Sequence, residues 1–196
     1  MASTKANRKI SDFKGALLGG GARPNLFEVE LTTLPAGIGW DSTNFSYMCK
    51  AASLPASNVA NIDIPFRGRI FKVAGDRTID PWTVTIINDE NFKLRNAFEE
   101  WADLIAKLEN NLGATNPEAY MVSAKVYQLG RGSSPESMTN AGTANSVLKE
   151  YEFFNIWPST VAAIDLSYDS TDTIEDFTVD FQVQSFKFNG AGGPNG

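Results

Sequence analysis

No histidine occurs among the 196 residues, and the sequence holds a single cysteine, Cys49. Without imidazole the chain lacks the commonest metal ligand and the commonest general base at neutral pH. That argues against metalloenzymes and against Ser-His-Asp or Cys-His catalysis. One thiol rules out an internal disulfide framework, and Cys49 reads as a small buried hydrophobe within a strand pattern. No run of about eighteen apolar residues is present, and the first residues have no apolar core of the secretory type. Neither a membrane anchor nor export is expected, and a reducing cytoplasm fits best. The glycines of GALLGGGARP lack the Lys-Ser/Thr of a phosphate loop. The triplet Asn44-Phe45-Ser46 matches a glycosylation acceptor but has no secretory context. Asp76 and Asp80 flank Arg77, and a turn stapled by Asp–Arg contacts is a better reading than paired catalytic carboxylates, because no base or orienting partner accompanies them. No catalytic residue, metal or cofactor is therefore expected.

What the chain has is a hydrophobic content of 42%, enough at this length for one well-packed domain. Charge is unevenly spread. Residues 1–24 carry Lys5, Arg8, Lys9, Lys14 and Arg23 against Asp12, a balance of +4, so the rest must carry −10 to reach the overall −6. A basic arm on an acidic body is the pattern of a nucleic-acid tail or a subunit-binding arm. With glycines 19–21 as a hinge it reads as flexible, ordering on a partner; a disordered leader is an equal alternative. The expected organisation is a basic arm over 1–21, a β domain over 22–188 and a flexible glycine-rich tail over 189–196.

Strict alternation in LFEVEL puts Phe27, Val29 and Leu31 on one face and Glu28 and Glu30 on the other, a half-buried strand. FSYMCKA (45–51) reads as a second strand after a loop holding Pro35, Gly37 and Gly39. NIDIPFRGRIFKVAGD reads as two short extended pieces with a kink at Pro65 and a turn at Gly68, and WTVTII as a strand. From Phe92 to Leu108 apolar residues recur at three- and four-residue steps, which predicts one helix over about 89–110 with Asn88 as N-cap and Asn111 with Gly113 as its stop. YMVSAKVYQL is again a strand. A Gly/Ser/Thr/Asn-rich segment (130–146) follows, then strands near 148–156, 161–168 and 174–188. The fold class is mainly β with one α-helix: an antiparallel sandwich or small barrel with the helix over one opening or edge. The last strand is long. Phe177, Val179, Phe181 and Val183 form its apolar face, while Asp176, Thr178, Asp180, Gln182 and Gln184 form a polar face free of positive charge. Trp82, Trp101 and Trp157 fit core packing better than base stacking, which needs basic neighbours. Arg67, Arg69, Lys72 and Arg77 are the densest basic cluster of the body. They suit either phosphate or the acidic face of a neighbouring copy, and opposite patches on one chain favour the copy.

The stretch VAGDRTIDPWTVTIINDE (73–90) resembles the tail tube proteins of contractile-tailed bacteriophages. ARPNLFEVEL (22–31), CKAASLPA (49–56) and FFNIWPSTV (153–161) with IEDFTVDFQV (174–183) echo the same family in the right order. The resemblance implies hexameric rings that stack into a tube inside a contractile sheath and conduct double-stranded DNA, with no cofactor. It also implies a fold like that of the type VI secretion inner tube. Sheath, tape measure, baseplate and tail terminator proteins are the partners it implies. Residues of about 56–80, including Arg67, Arg69, Lys72, Asp76 and Arg77, are implied at ring and subunit contacts, joined by the N-terminal arm with Arg23. The leader before residue 22, the loop 34–43, the segment 130–146 and the tail look like expansions on the family core.

If about six copies each lend about four strands to one barrel, strands about 4.8 Å apart and tilted about 40° enclose a diameter of roughly 48 Å. A duplex passes such a bore. A wall of Lys and Arg would grip it, whereas an acidic or neutral wall leaves it mobile. The residues expected to line the lumen are therefore Asp176, Thr178, Asp180, Gln182 and Gln184, with Glu28 and Glu30 as second candidates. Alternatives within reach of the sequence are a DNA- or tape-binding tail factor, a baseplate tube initiator, and a type VI-like inner tube protein.

Overall fold

The computed structural model describes residues 9–17, 21–130 and 147–190. Most of the expected basic arm, two of its three hinge glycines, nearly all of the segment 130–146 and the tail from 191 onward lie outside the described residues. The helices are α1 (Ile10–Ala16), α2 (Ser42–Met48) and α3 (Lys93–Ile105). The strands are β1 (Phe27–Glu30), β2 (Cys49–Ser53), β3 (Ser57–Phe66), β4 (Arg69–Ile79), β5 (Trp82–Ile87), β6 (Val122–Leu129), β7 (Val147–Val161) and β8 (Asp176–Gly190). Six strands form one antiparallel sheet in the order β1-β6-β7-β8-β5-β2, and among the described residues β3 pairs only with β4.

The six-stranded sheet curls until its edges β1 and β2 approach, and α2, which lies between them in sequence, bridges the gap. Ser46 Oγ donates to the Val29 carbonyl of β1 at 2.7 Å, and the chain passes from Met48 straight into β2. The result is a nearly closed barrel, the β-rich architecture that alternation implies. Its concave side holds the core. Val29 and Leu31 come from the β1 region, Trp82, Val84 and Ile86 from β5, Phe153 and Ile156 from β7, and Phe177, Val179 and Phe181 from β8, all of them buried. Helix α3 seals this side with Leu94, Phe98 and Trp101. Phe98 sits at the centre, its ring 6.2 Å from Phe45, 5.6 Å from Trp40, 6.2 Å from Phe177 and 6.0 Å from Phe181. Such offset and edge-on aromatic packing adds to the burial of large apolar area.

Several local expectations change. The 45–51 stretch is half helix: Asp41 caps α2 by accepting from the Asn44 amide at 3.0 Å, and Phe45 points into the core, so the strand starts only at Cys49. Local capping overrides a pattern too short to choose a period. Helix α3 begins later than expected because Asn88 belongs to the end of the sheet, with its amide donating to the Glu175 carbonyl at 2.9 Å. Asp89 accepts from the Lys93 amide at 3.1 Å, and Phe92 takes a left-handed φ of 52° at the start. The helix also stops sooner than expected, at Ile105, and Asn111 and Gly113 lie in the turn that follows rather than at its end. Asn111 has a φ of 56°, and Gly113 lies so close under the helix end that a Cβ there would fall 1.9 Å from the Ile105 carbonyl oxygen. Strands near 148–156 and 161–168 merge into the single β7, which runs through Pro158 at a register shift, and residues after Val161 form a loop instead. Proline is tolerated there because a bulge needs one ladder donor fewer.

Truncating the central ring, Phe98→Ala, is expected to cost about 3–5 kcal/mol, the range for large-to-small aromatic substitution in a core, measured by urea denaturation of the unassembled chain. Gly113→Ala forces the α3 end to move and is expected to cost about 1–3 kcal/mol on the same assay, as overpacking does.

Candidate functional site

Two exposed surfaces stand out, a polar sheet face and a projecting ribbon. The first is the convex face of the barrel-like sheet. Along β8, Asp176, Thr178, Asp180 and Gln182 alternate with the buried Phe177, Val179 and Phe181, so their side chains stand on the convex side. Register carries the face sideways. Thr83 and Thr85 of β5 lie opposite Asp180 and Thr178, and Thr83 Oγ1 donates to the Asp180 carboxylate at 2.5 Å. Asp176 is paired with Lys50 of β2. On the other flank Glu28 and Glu30 of β1 oppose Tyr127 and Lys125 of β6, which in turn oppose Glu150 and Glu152 of β7. Lys125 Nζ reaches Glu150 at 3.0 Å and Glu152 at 3.8 Å, and Tyr127 donates to Glu30 at 2.8 Å. The sequence-expected acidic residues of β1 and β8 thus share one face, with two strands between them that supply further carboxylates. Glu150 and Glu152 were missed because Lys149 and the aromatic residues around them hide the alternation.

The alternation of β8 does not run its whole length. Val183 pairs with Ile156 on the concave side, yet three positions on Phe186 pairs with the buried Phe153, so the inward phase shifts from odd to even numbers. The partner strand turns at the same place, where Asn155 adopts a φ of 54°. Gln184 sits at this turn and is exposed. The inner face then continues through Phe186, while Lys187 joins the convex side opposite Glu152.

The second surface is the β3–β4 hairpin. Ten residues of β3 span about 33 Å at the usual strand rise. Every residue of β3 is exposed. The tip is Arg67-Gly68, with φ of 46° and 77°, the positive pair of angles that a two-residue hairpin turn of matching twist requires. Phe66 and Phe71 are each 64% exposed, with Ile62, Ile64 and Ile70 also open to solvent. Arg67, Arg69, Lys72, Asp76 and Arg77 all lie on this ribbon, which places the basic cluster on one projecting element. Residues 76–79 are strand, with Asp80 just past its end, rather than a turn stapled by Asp–Arg contacts. Arg77 Nε donates to Ser57 Oγ across the hairpin, its guanidinium lies 5.8 Å from the Phe186 ring, and Asp80 accepts from Asn58 Nδ2 at 2.9 Å. Arg77 thereby pins the hairpin base to β8. Arg23 precedes β1, and its carbonyl accepts from Gln128 Nε2 at 2.7 Å.

Among the described residues no cluster of three or more Cys, Asp or Glu side chains could hold a metal ion, and no helix is long and apolar enough to cross a membrane. The titration shifts are structural. Burial pushes the Cys49 thiol up from 9.0 to about 12. Burial, followed by its hydrogen bond to Glu30, raises the Tyr127 phenol. The hydrogen bond to Glu150 raises Lys125. All three groups hold their protons more tightly when folded, so the stability they contribute is whole below their unfolded pKa values. It is lost as pH rises through the folded ones. Denaturant midpoints are expected to stay level from pH 7 to about 9, the ordinary thiol value, and to fall above it. Cys49→Ala should remove the earliest part of that fall.

A family model described as phage tail tube protein matches residues 22–189. The chain is 39% identical to the tail tube protein gp19 of Enterobacteria phage T4 over 158 residues, covering 81% of this chain and 86% of that protein. It is 23% identical to the tail tube protein of Serratia phage KSP90 over 176 residues, 88% and 93% of the two chains. Among solved structures, a chain of the anti-feeding prophage baseplate superposes with a TM-score of 0.58 at 11% identity, covering 87% of this chain and 96% of that one. A chain of an extracellular contractile injection system's sheath–tube complex superposes at 0.55 and 12% identity, covering 97% and 100%. These last two share the fold. With an acidic sheet face, an unpartnered ribbon and a match across nearly all of its β domain, the chain belongs to the phage tail tube protein family, structural proteins of the virion tail.

Proposed function

We propose that six copies of this chain close into a ring, that rings stack into the inner tube of a contractile tail, and that the tube conducts double-stranded DNA. The observation that carries the reading is the β3–β4 hairpin. A two-stranded ribbon is marginal in water by itself, and this one leaves Phe66, Ile70 and Phe71 uncovered, so it needs a surface that the described residues do not provide. Edge strands β1 and β2 are likewise short and approach without pairing, which leaves them open to pairing across a subunit boundary.

In that ring the convex sheet face is assigned to the lumen, with Asp176, Thr178, Asp180, Gln182 and Gln184 from β8 and Glu28 and Glu30 from β1 lining it. Carboxylates there outnumber the lysines Lys50, Lys125 and Lys187, and each of the first two is already bonded to a carboxylate. Such a wall repels phosphates weakly and does not accumulate grip along the tube. The ring, the sheath around it, and the tape measure, baseplate and terminator proteins at its ends are partners of this reading. Catalysis has no part in it.

Concentrated protein, alone or seeded with short preformed tubes, is expected to give rods with an axial channel by electron microscopy. Uniformly small particles under both conditions would overturn the proposal. Thr178→Lys, Gln182→Lys and Gln184→Lys together should leave rods intact but make them retain double-stranded DNA at low salt, releasing it as salt rises. Unaltered rods should retain none. Phe71→Asp should abolish rods while changing the unassembled chain's stability by less than about 0.5 kcal/mol, as exposed substitutions do.

A further inference from the structure

The two ends of the barrel differ in charge, and register fixes which is which. β5 runs from Trp82, paired with Phe181, to Ile87, paired with Asp176. The hairpin joins β5 at its Trp82 end through Asp80 and Pro81. The loop between β7 and β8, residues 162–175, joins β8 at the Ile87 end. Hairpin and loop therefore leave the barrel in opposite directions.

That loop carries Asp165, Asp169, Asp172 and Glu175 and no basic residue. Asp89 and Glu90 follow β5 at the same end, where the Asn88 side chain donates to Glu175 at 2.8 Å. Of the nearby cations, Lys50 pairs with Asp176 and Arg95 with Glu99 at 2.6 Å, while Lys93 lines a separate groove with Asp41 and Glu100. Alongside its acids the loop exposes Leu166, Tyr168 and Ile174, which are more than three-quarters open to solvent, and Leu166 and Ile174 line a groove of about 490 Å³. Arg95 Nη1 donates to the Ala162 carbonyl at 2.6 Å, which anchors the loop's start to α3. The hairpin tip is its complement, since Arg67, Arg69 and Lys72 flank the exposed Phe66, Ile70 and Phe71. Of the hairpin's acids, Asp63 lies opposite Lys72 and accepts from Asn61, and Asp76 lies far from the tip, so Arg67 and Arg69 carry the net positive charge there.

We propose that the hairpin tip of one copy docks on the 162–175 loop of a second copy in the next ring, basic and apolar side chains on acidic and apolar ones. The pairing rests on the tube reading and names the receiving surface for the hairpin. The two patches lie at opposite ends and are not alike, so the contact is head-to-tail; it repeats without closing on itself and gives the stack a single polarity. Charge complementarity fixes the register and rejects head-to-head meetings, where like charges oppose.

Charge exchange tests the pairing. Arg67→Glu, Arg69→Glu and Lys72→Glu in one protein, and Asp165→Lys, Asp169→Lys and Asp172→Lys in another, should each leave rings intact. Each should raise the concentration needed to pellet rods by ~10-fold or more. The six changes combined in one chain should restore pelleting to within ~3-fold of the unaltered protein. A photo-crosslinking residue in place of Phe66 should attach to a peptide from 162–175 of another copy. Additive rather than compensating defects, or crosslinks confined to other surfaces in rods that do form, would overturn the pairing alone. Absence of rods from the unaltered chain, seeded or not, would overturn the tube reading and the pairing with it. Tryptophan fluorescence of each variant confirms that the core is intact.

Discussion

A single sheet has two faces, and one helix can cover only one of them. In this chain the fully buried aromatic side chains are committed to the concave face, where Phe98 and Trp101 of α3 meet Trp82, Phe177 and Phe181. Everything else follows from that commitment. The convex face must be wetted, so it is built of carboxylates, hydroxyls and amides joined by local bonds such as Tyr127 to Glu30. The hairpin extends past the area the helix can shelter, so its apolar residues have nothing of their own to rest on. Burial decides the fold of the subunit, and the surfaces left over decide what the subunit builds.

Much of this is legible in the residues. Strict alternation gives β1, β5 and the first half of β8, and three-to-four periodicity gives α3, because each pattern lasts long enough to select one period. Its limits are equally physical. α2 is seven residues long, and its helicity comes from the Asp41 cap and from the need to span two sheet edges, neither of which is a periodic signal. The phase shift in β8 depends on the left-handed turn of Asn155 in a different strand. Arg67-Gly68 marks the hairpin turn plainly, yet the length of the ribbon and its lack of cover are tertiary facts. The acidic residues of β1 and β8 could be read as faces of their own strands; only the order β1-β6-β7-β8 shows that they belong to one surface.

The family places the chain in a tail tube, and the division of labour within it is electrostatic as much as steric. Phosphates in a bore sense the summed field of a wall, for which weak, distributed negative charge suffices. Contacts between copies ask for something different: localised opposite charges backed by apolar area that excludes water. In the proposed tube the two functions fall on separate elements. The sheet face carries the diffuse charge, and the hairpin and the β7–β8 loop carry the concentrated patches at either end of the barrel.

The exposed ribbon also bears on the life of the chain before it joins any assembly. A long, apolar, unpaired β edge is the usual seed of indiscriminate aggregation, and newly made copies carry one each. Arg67, Arg69 and Lys72 break up the apolar residues around the tip of that edge. They act as gatekeepers: two identical ribbons meeting side by side bring like charges together and separate again, whereas a surface with the opposite sign lets the same side chains settle. The residues that make the ribbon adhesive toward one site are thus the ones that keep it soluble until that site is offered.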